Sequence, residues 1–233
     1  MKRQILDAIL AARADKRPIA VVTDLDGGAQ AIVDGDTTGG DLTLGADILA
    51  AVEKRLRDNR SGPEEADGAA LFVQVHNPPL RLIIVGAVHI AQALAPIASL
   101  AGYVVTVVDP RRAFSTDERF PVVALSNEWP DDALTAFAPD RRTAVVTLTH
   151  DPKLDDPALA VALRSDVFYI GSLGSRRTHA ARLERLTELG FDDAAMGRIH
   201  GPVGLNIGAV SPSEIAVSIL AQMTAVLHQD PAS

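Results

Sequence analysis

The chain has 233 residues, 47% of them apolar but only 4% aromatic, so its core must be built from Ala, Val, Ile and Leu. A formal net charge of −8 with no basic block argues against nucleic acids and anionic membranes as partners. Cysteine is absent, which excludes disulfides, thiolate metal ligands and any cysteine nucleophile or persulfide carried by this chain. The six histidines never show His-x-x-x-His spacing, so no metal site is expected. No apolar stretch reaches the ~18–20 residues that span a bilayer. The start, Met1–Leu10, is too short and too soon charged for a secretory signal, and a cytoplasmic protein is expected.

Residues 1–76 read as a small α+β N-terminal domain. The spacing of Ile5, Ile9 and Ala12 predicts a helix over Gln4–Ala14. Ile19–Thr23 and Gln30–Val33 are short strands, and Asp26-Gly27-Gly28 between them is turn chemistry, so a hairpin is expected. Thr37–Gly40 reads as a polar, flexible loop. A helix follows over Leu44–Leu56, then an exposed loop over Arg57–Gly68, then a strand over Ala69–Val75. Asn77-Pro78-Pro79 breaks the chain and marks the boundary.

Residues 80–233 alternate strand and helix. The strands are Arg81–Val85, Val104–Asp109, Val122–Leu125, Thr143–Thr147 and Val167–Ile170. The helices are His89–Leu100, Asp131–Phe137, Pro157–Leu163, Ser175–Leu189 and Pro212–Leu227. Continuous apolar strands joined by helices predict a parallel sheet covered on both faces, a Rossmann-like α/β domain. The last helix carries a full start signal: Ser211 as cap, Pro212 at the first position and Glu214 three after the cap. Its Ile215, Ile219, Met223 and Val226 form a core stripe. Pro96 sits inside a helical pattern and predicts a kink or an early 3₁₀ turn.

Gly86 follows the apolar strand directly and opens the helix carrying Ile90, Leu94 and Ile97, while Asp109 ends the next strand. In a dinucleotide site such a turn approaches the pyrophosphate, the helix N-terminus binds it, and the acid takes the ribose hydroxyls. Here only the first glycine of G-x-G-x-x-G is kept. Ala91 is tolerable at the third place, but the branched Val88 at the second crowds the pyrophosphate.

Three further segments stand out. Thr147–Asp151 follows a strand, and His150 there reads as a ligand contact, a proton donor or a loop histidine capping the strand. Tyr169–Thr178 runs a strand into Gly171, Ser172, Gly174, Ser175, Arg176 and Arg177 before a helix. Backbone N–H groups, hydroxyls and guanidinium forks would converge there on an anion. The alternative is a capped helix with two solvated arginines. Arg182 and Arg185, further along, read as surface residues. Arg198–Ala209 is glycine-rich but too apolar for a disordered linker, and either lines the crevice or crosses the sheet end.

Gly86-Ala-Val-His-Ile-Ala91, Val107-Val-Asp109-Pro-Arg111, Thr149-His150-Asp151, Tyr169–Thr178 and Pro202–Ala209 together resemble the XdhC/CoxI family of accessory proteins for xanthine dehydrogenase and related molybdenum hydroxylases. The resemblance covers about residues 80–227. It implies a non-catalytic chaperone that binds molybdenum cofactor, a molybdopterin with a phosphate tail. Such a chaperone protects the cofactor while a partner cysteine desulfurase supplies sulfur, and helps insert it into an apo xanthine dehydrogenase-type molybdoenzyme. A homodimer is compatible with this. On this reading the cofactor site comprises Gly86, Ala87, Val88, His89, Asp109 and Arg111 on one side. His150, Asp151 and the Gly171–Arg177 anion pocket form the other. Two departures matter. Many members carry Ser-Gly-Gly-Cys in the first domain, where this chain has Thr38-Gly39-Gly40-Asp41, and Val88 replaces the glycine of the family's G-A-G-H form. The competing readings are an NAD(P)-dependent oxidoreductase, for which Asp109 would favour NAD but no catalytic pair is evident, and a regulatory nucleotide-binding module.

Overall fold

The computed structural model describes residues 2–229 apart from Asp36, Asp67 and Val122. The chain forms two compact units, Met1–Pro78 and Pro79–Ser233. The first contains α1 (Arg3–Ala14), β1 (Ile19–Asp24), β2 (Gln30–Asp34), β3 (Thr37–Gly40), α2 (Ala46–Asp58), β4 (Gly62–Ala66) and β5 (Ala69–His76). Its sheet is antiparallel in the order β3-β2-β1-β5-β4. Alternate residues Ala20, Val22, Leu71 and Val73 point to one face, where they bury Ile48 and Val52 of α2. The expected hairpin is present as β1–β2, with Asp24 Oδ1 accepting the Asp26 N–H in its turn.

Two expected loops are strands. Thr37–Gly40 pairs with β2 as a wholly exposed edge, so it has no buried face to write an apolar alternation into the sequence. Gly62–Ala66 pairs with β5. It too is an edge, which tolerates Pro63 and the charges of Glu64 and Glu65. Arg55 holds it in place, donating from Nε to Glu64 Oε1 (2.6 Å) and from Nη2 to Pro63 O (2.5 Å).

The second unit contains β6 (Leu80–Val85), α3 (His89–Leu100), β7 (Tyr103–Val108), β8 (Ala124–Ser126), α4 (Pro130–Phe137), β9 (Thr143–Thr147), α5 (Pro152–Leu163), β10 (Tyr169–Ser172), α6 (Arg176–Glu188), α7 (Asp193–Met196), β11 (Ile199–His200) and α8 (Pro212–Leu227). All strand pairings are parallel, in the order β11-β10-β9-β6-β7-β8. Counted from β6 as the first strand, this is the 3-2-1-4-5-6 order of the Rossmann fold. The chain leaves β6 toward β7 and later returns to β9 on its other side. The carboxyl ends of β6 and β9 therefore flank the topological switch point.

Each central strand feeds both faces. Leu82 and Ile84 pack with α3 and α8 through Leu94, Ala98, Ile219 and Met223. Ile83 and Val85 pack with α4, α5 and α6 through Leu134, Leu159 and Leu186. Such burial stabilises by ~1.5–3 kcal/mol per large side chain, which explains the unbroken apolar strands. The capping box of α8 is formed as expected: the Ser211 hydroxyl accepts the Glu214 N–H, and Glu214 accepts the Ser211 N–H.

The differences are local. α3 is α-helical through Pro96, with no 3₁₀ turn, and Pro96 lies on its exposed face. α5 begins five residues earlier than the proline at position 157 suggests, since Asp151 caps it through the Lys153 N–H and Pro152 opens it. The fifth strand lies at Tyr169–Ser172, shifted toward the turn from Val167–Ile170. The third is observed as Ala124–Ser126, and Val122 lies outside the described residues. β11 turns part of the glycine-rich stretch into a sixth strand.

Candidate functional site

Three strand-to-helix turns leave the carboxyl end of the parallel sheet near the switch point. The first is at Gly86, where φ is 110° and a Cβ would stand 2.6 Å from Thr149 Cγ2 and 3.3 Å from the Thr149 N. Glycine is required there by contact with the neighbouring loop as well as by φ. The turn is tied to β7 from both sides. Gly86 N donates to Val108 O (2.8 Å), and Ala87 N donates to Asp109 Oδ2 (2.8 Å). Asp109 is fully buried, and it also accepts from the Arg111 backbone N–H, Nε and Nη2 at 2.8–3.0 Å. Arg111 and these N–H groups hold its carboxyl below the usual range against the opposing effect of burial. Asp109 is therefore not presented to a ribose; it fastens the Gly86 turn to Arg111. Val88, half-buried, is the N-cap residue of α3 and supplies no capping side chain, and His89 is exposed at the first helical position.

The second turn follows β9. Its backbone donors are taken by Asp155 of α5, which is 1% exposed. Asp155 accepts from Thr149 Oγ1 (2.6 Å) and, through its other oxygen, from the His150 N–H (3.1 Å). This anchorage holds His150 in the left-handed region (φ 62°) with its ring exposed. Asp151, beside it, is committed as the cap of α5. Burial pushes the Asp155 carboxyl up. Asp151 and Asp155 also act electrostatically on Arg111, so the first and second turns share one charge system.

The third turn follows β10 and differs in kind. Gly171 and Ser172, read from sequence as ligand groups, are both buried in internal packing. A Cβ on Gly171 would meet Val203 Cγ2 at 2.5 Å, and the Ser172 hydroxyl bonds Thr147 Oγ1 at 2.5 Å. Gly174, with φ 145°, turns the chain, and Ser175 caps α6 by accepting the Thr178 N–H. Arg176 and Arg177 are exposed, and among the described residues neither side chain has an ion pair or hydrogen bond. Arg176 edges a cleft of about 420 Å³ walled by Leu173, Val203, Leu205, Ile207 and Ile215. The Pro202–Ala209 segment lines this cleft, to which, of the residues expected to hold the cofactor, only Arg176 contributes; the Gly86, Asp109–Arg111 and His150–Asp151 residues lie outside its lining.

Arg182 and Arg185 are not surface residues of the expected kind. Arg182 is 2% exposed; it donates from Nη2 to Leu173 O (2.9 Å) and lies 3.9 Å from Asp155 Oδ2. Arg185 grips Asp156 with two donors, at 2.5 and 3.1 Å. The signal was spacing: Arg182 stands four residues before the core residue Leu186 and seven after the cap, on the buried stripe of α6. Asp155 likewise precedes the buried Leu159 by four and Ala162 by seven. The wall behind the cleft is a second polar set, in which Gln222 Oε1 accepts from Tyr169 OH (2.6 Å) and Gly204 N (2.8 Å). His200 stacks on the Tyr169 ring at 4.8 Å. In the first unit, Asp41 accepts the Gln30 N–H and pairs with Lys2.

The chain matches the XdhC Rossmann domain over residues 82–223. It is 35% identical to the molybdenum cofactor insertion chaperone PaoD of Escherichia coli K12 over 154 residues, 66% of this chain and 42% of PaoD. It is 34% identical to a probable xanthine dehydrogenase subunit of Bacillus subtilis 168, again over 66% of this chain and 44% of the relative. These matches span less than half the length of either curated relative. A crystal structure described as a xanthine dehydrogenase from Bacillus halodurans superposes with a TM-score of 0.73 at 26% identity, covering 99% of this chain and 66% of that one.

Proposed function

This chain belongs to the XdhC family, and on that premise we propose that it is a non-catalytic chaperone that binds molybdenum cofactor and helps insert it into a xanthine dehydrogenase-type molybdoenzyme. The observation that carries the reading is the cation-edged apolar cleft at the carboxyl end of the Rossmann sheet. Its size, about 420 Å³, lies within the ~300–1,000 Å³ typical of small-molecule sites. Its chemistry suits a phosphorylated pterin: apolar walls at Leu173, Leu205, Ile207 and Ile215 for a flat heterocycle, and Arg176 at its edge for the phosphate tail, with the exposed Arg177 next to it in sequence.

The cofactor supplies its own metal-binding sulfur. The chain, lacking cysteine, offers the molybdenum no thiolate, and among the described residues no group of three His, Asp or Glu is placed to hold a metal ion. Its own residues would bind the phosphate, orient the ring against the cleft wall and exclude water from it. A terminal sulfur would then come from a partner, for which a cysteine desulfurase is the fitting class.

Expression in a host that makes the cofactor, followed by release and oxidation to a fluorescent pterin, tests this. A near-stoichiometric signal is expected. No pterin, and no uptake when cofactor is added, would overturn the proposal. Arg176→Ala combined with Arg177→Ala is expected to weaken cofactor binding by ~2–4 kcal/mol, as for two charge-assisted bonds to phosphate. Mass photometry with and without apo-enzyme reports whether the chain pairs with itself or with the molybdoenzyme.

A further inference from the structure

Two of the three turns at the crevice already contain a carboxylate of this chain. Asp109 sits on the Ala87 N–H, and Asp155 on the His150 N–H and the Thr149 hydroxyl. The third contains none among the described residues. Beneath it lies a cation instead: side chains on a helix lean toward its N-terminus, and Arg182 reaches back along α6 until its Nη2 meets Leu173 O. The same nitrogen lies 3.7 Å from where a Gly174 Cβ would be. Its Nε and Nη1 are buried and have no hydrogen-bond partner among the described residues. Asp155, at 3.9 Å, answers the charge only in part, since that carboxylate's oxygens are directed to the Thr149–His150 loop. His179, one turn into α6, is held below its ordinary range first by burial and then by the charge of Arg182. Above the guanidinium, α6 is a 13-residue helix whose first two N–H groups, Arg176 and Arg177, make no hydrogen bond among the described residues, with the Thr178 N–H taken by Ser175.

We propose that the N-terminal turn of α6 is the phosphate-binding subsite of this chain and that Arg182, buried beneath it, sets its positive field without touching the ligand, while Asp155 moderates that field. The buried pair forms a dipole with its positive end under the Leu173–Gly174 peptide and its negative end under Thr149–His150. In a dry interior such a charge acts over a longer range than a solvated one. An anion above the turn completes the neutralisation that Asp155 leaves partial. This inference deepens the cofactor reading, because a phosphate tail would sit here, but it does not depend on the ligand's being a pterin.

The test is titration of the full chain with inorganic phosphate at pH 8, followed by amide shifts in NMR spectra. Saturable shifts centred on Arg176–Thr178 are expected. Arg182→Met should weaken phosphate at least about tenfold, with Arg182→Lys restoring most of it. Asp155→Asn should tighten it by about tenfold, because it removes a negative charge near the bound anion. Opposite signs distinguish a field from a scaffold, in which both changes would weaken binding. Weakening by both, no effect of either, or shifts centred on the Gly86 turn would overturn the proposal. If Arg182→Met does not fold, the sign of the Asp155→Asn effect still decides. A chain that binds phosphate in this way but never acquires a pterin keeps the subsite and loses the cofactor. A chain that takes up pterin while phosphate ignores both variants loses the subsite alone.

Discussion

The turns at Gly86 and Gly174 leave the same sheet at the same end, each on a glycine of positive φ, yet Asp109 underlies the first and Arg182 the second. A Rossmann sheet supplies helix N-termini wherever a strand ends, and each could receive an anion. What separates them here is the charge buried below. At Gly86 the acid takes a backbone donor and is itself bound by Arg111, so the turn is a self-neutralised joint. At Gly174 the donors stay open over an incompletely paired guanidinium. On the proposed assignment, the buried charge beneath a glycine turn, and not the turn's geometry alone, sets whether it receives an anion.

The largest effect expected at either turn is steric. Gly86→Ala puts a Cβ 2.6 Å from Thr149 Cγ2 and against its backbone N, at a φ of 110°. It should cost about 3 kcal/mol or more in urea unfolding, and a near-neutral result would show that the first two turns are not locked together. Next comes the joint itself. Asp109→Ala leaves the Ala87 N–H unpaired and frees Arg111, which should cost about 2–3 kcal/mol. The figure stays low for a buried pair because Arg111 is 39% exposed.

The two buried acids should also differ in the sign of their pH dependence. The folded pKa of Asp109 is lowered, so its stabilisation is present above the unfolded value of ~3.9 and is lost as pH falls through the folded value. That of Asp155 is raised, so the native state holds an extra proton above ~3.9, and stability falls as pH rises toward its folded value. Stability curves of Asp109→Asn and Asp155→Asn against pH should lose these opposite slopes, and slopes of one sign would refute the contrast.

Smaller effects belong to the open turn. Ser175→Ala removes the α6 cap and should cost about 1 kcal/mol. Arg176→Ala with Arg177→Ala should change thermal stability by less than about 0.5 kcal/mol, since both side chains are exposed and unpaired among the described residues. A large loss there would mean that the arginines hold the fold rather than await a ligand.

Much of the architecture was legible in the chain. The strand–helix alternation of the second unit, the limits of α3 and α8 and the Ser211–Glu214 capping box follow from signals that act within one or two turns of backbone. The strands β3 and β4 left no such trace, because an exposed edge has no buried face to impose a pattern. At the site, sequence indicated the crevice and the exposed pair Arg176 and Arg177. It placed Gly171 and Ser172 in the pocket, whereas packing against Val203 and Thr147 buries them.

Signals written along the chain are local: where strands stop, where helices are capped, and that glycine turns the chain at position 86. Which charges meet follows from the packing of elements far apart in the chain. Arg182, Asp155 and Leu173 are separated along the chain but lie together because β9 and β10 are neighbours and α5 and α6 cover the same face. A charge's burial depends on what the fold sets beside it, and no local spacing specifies that.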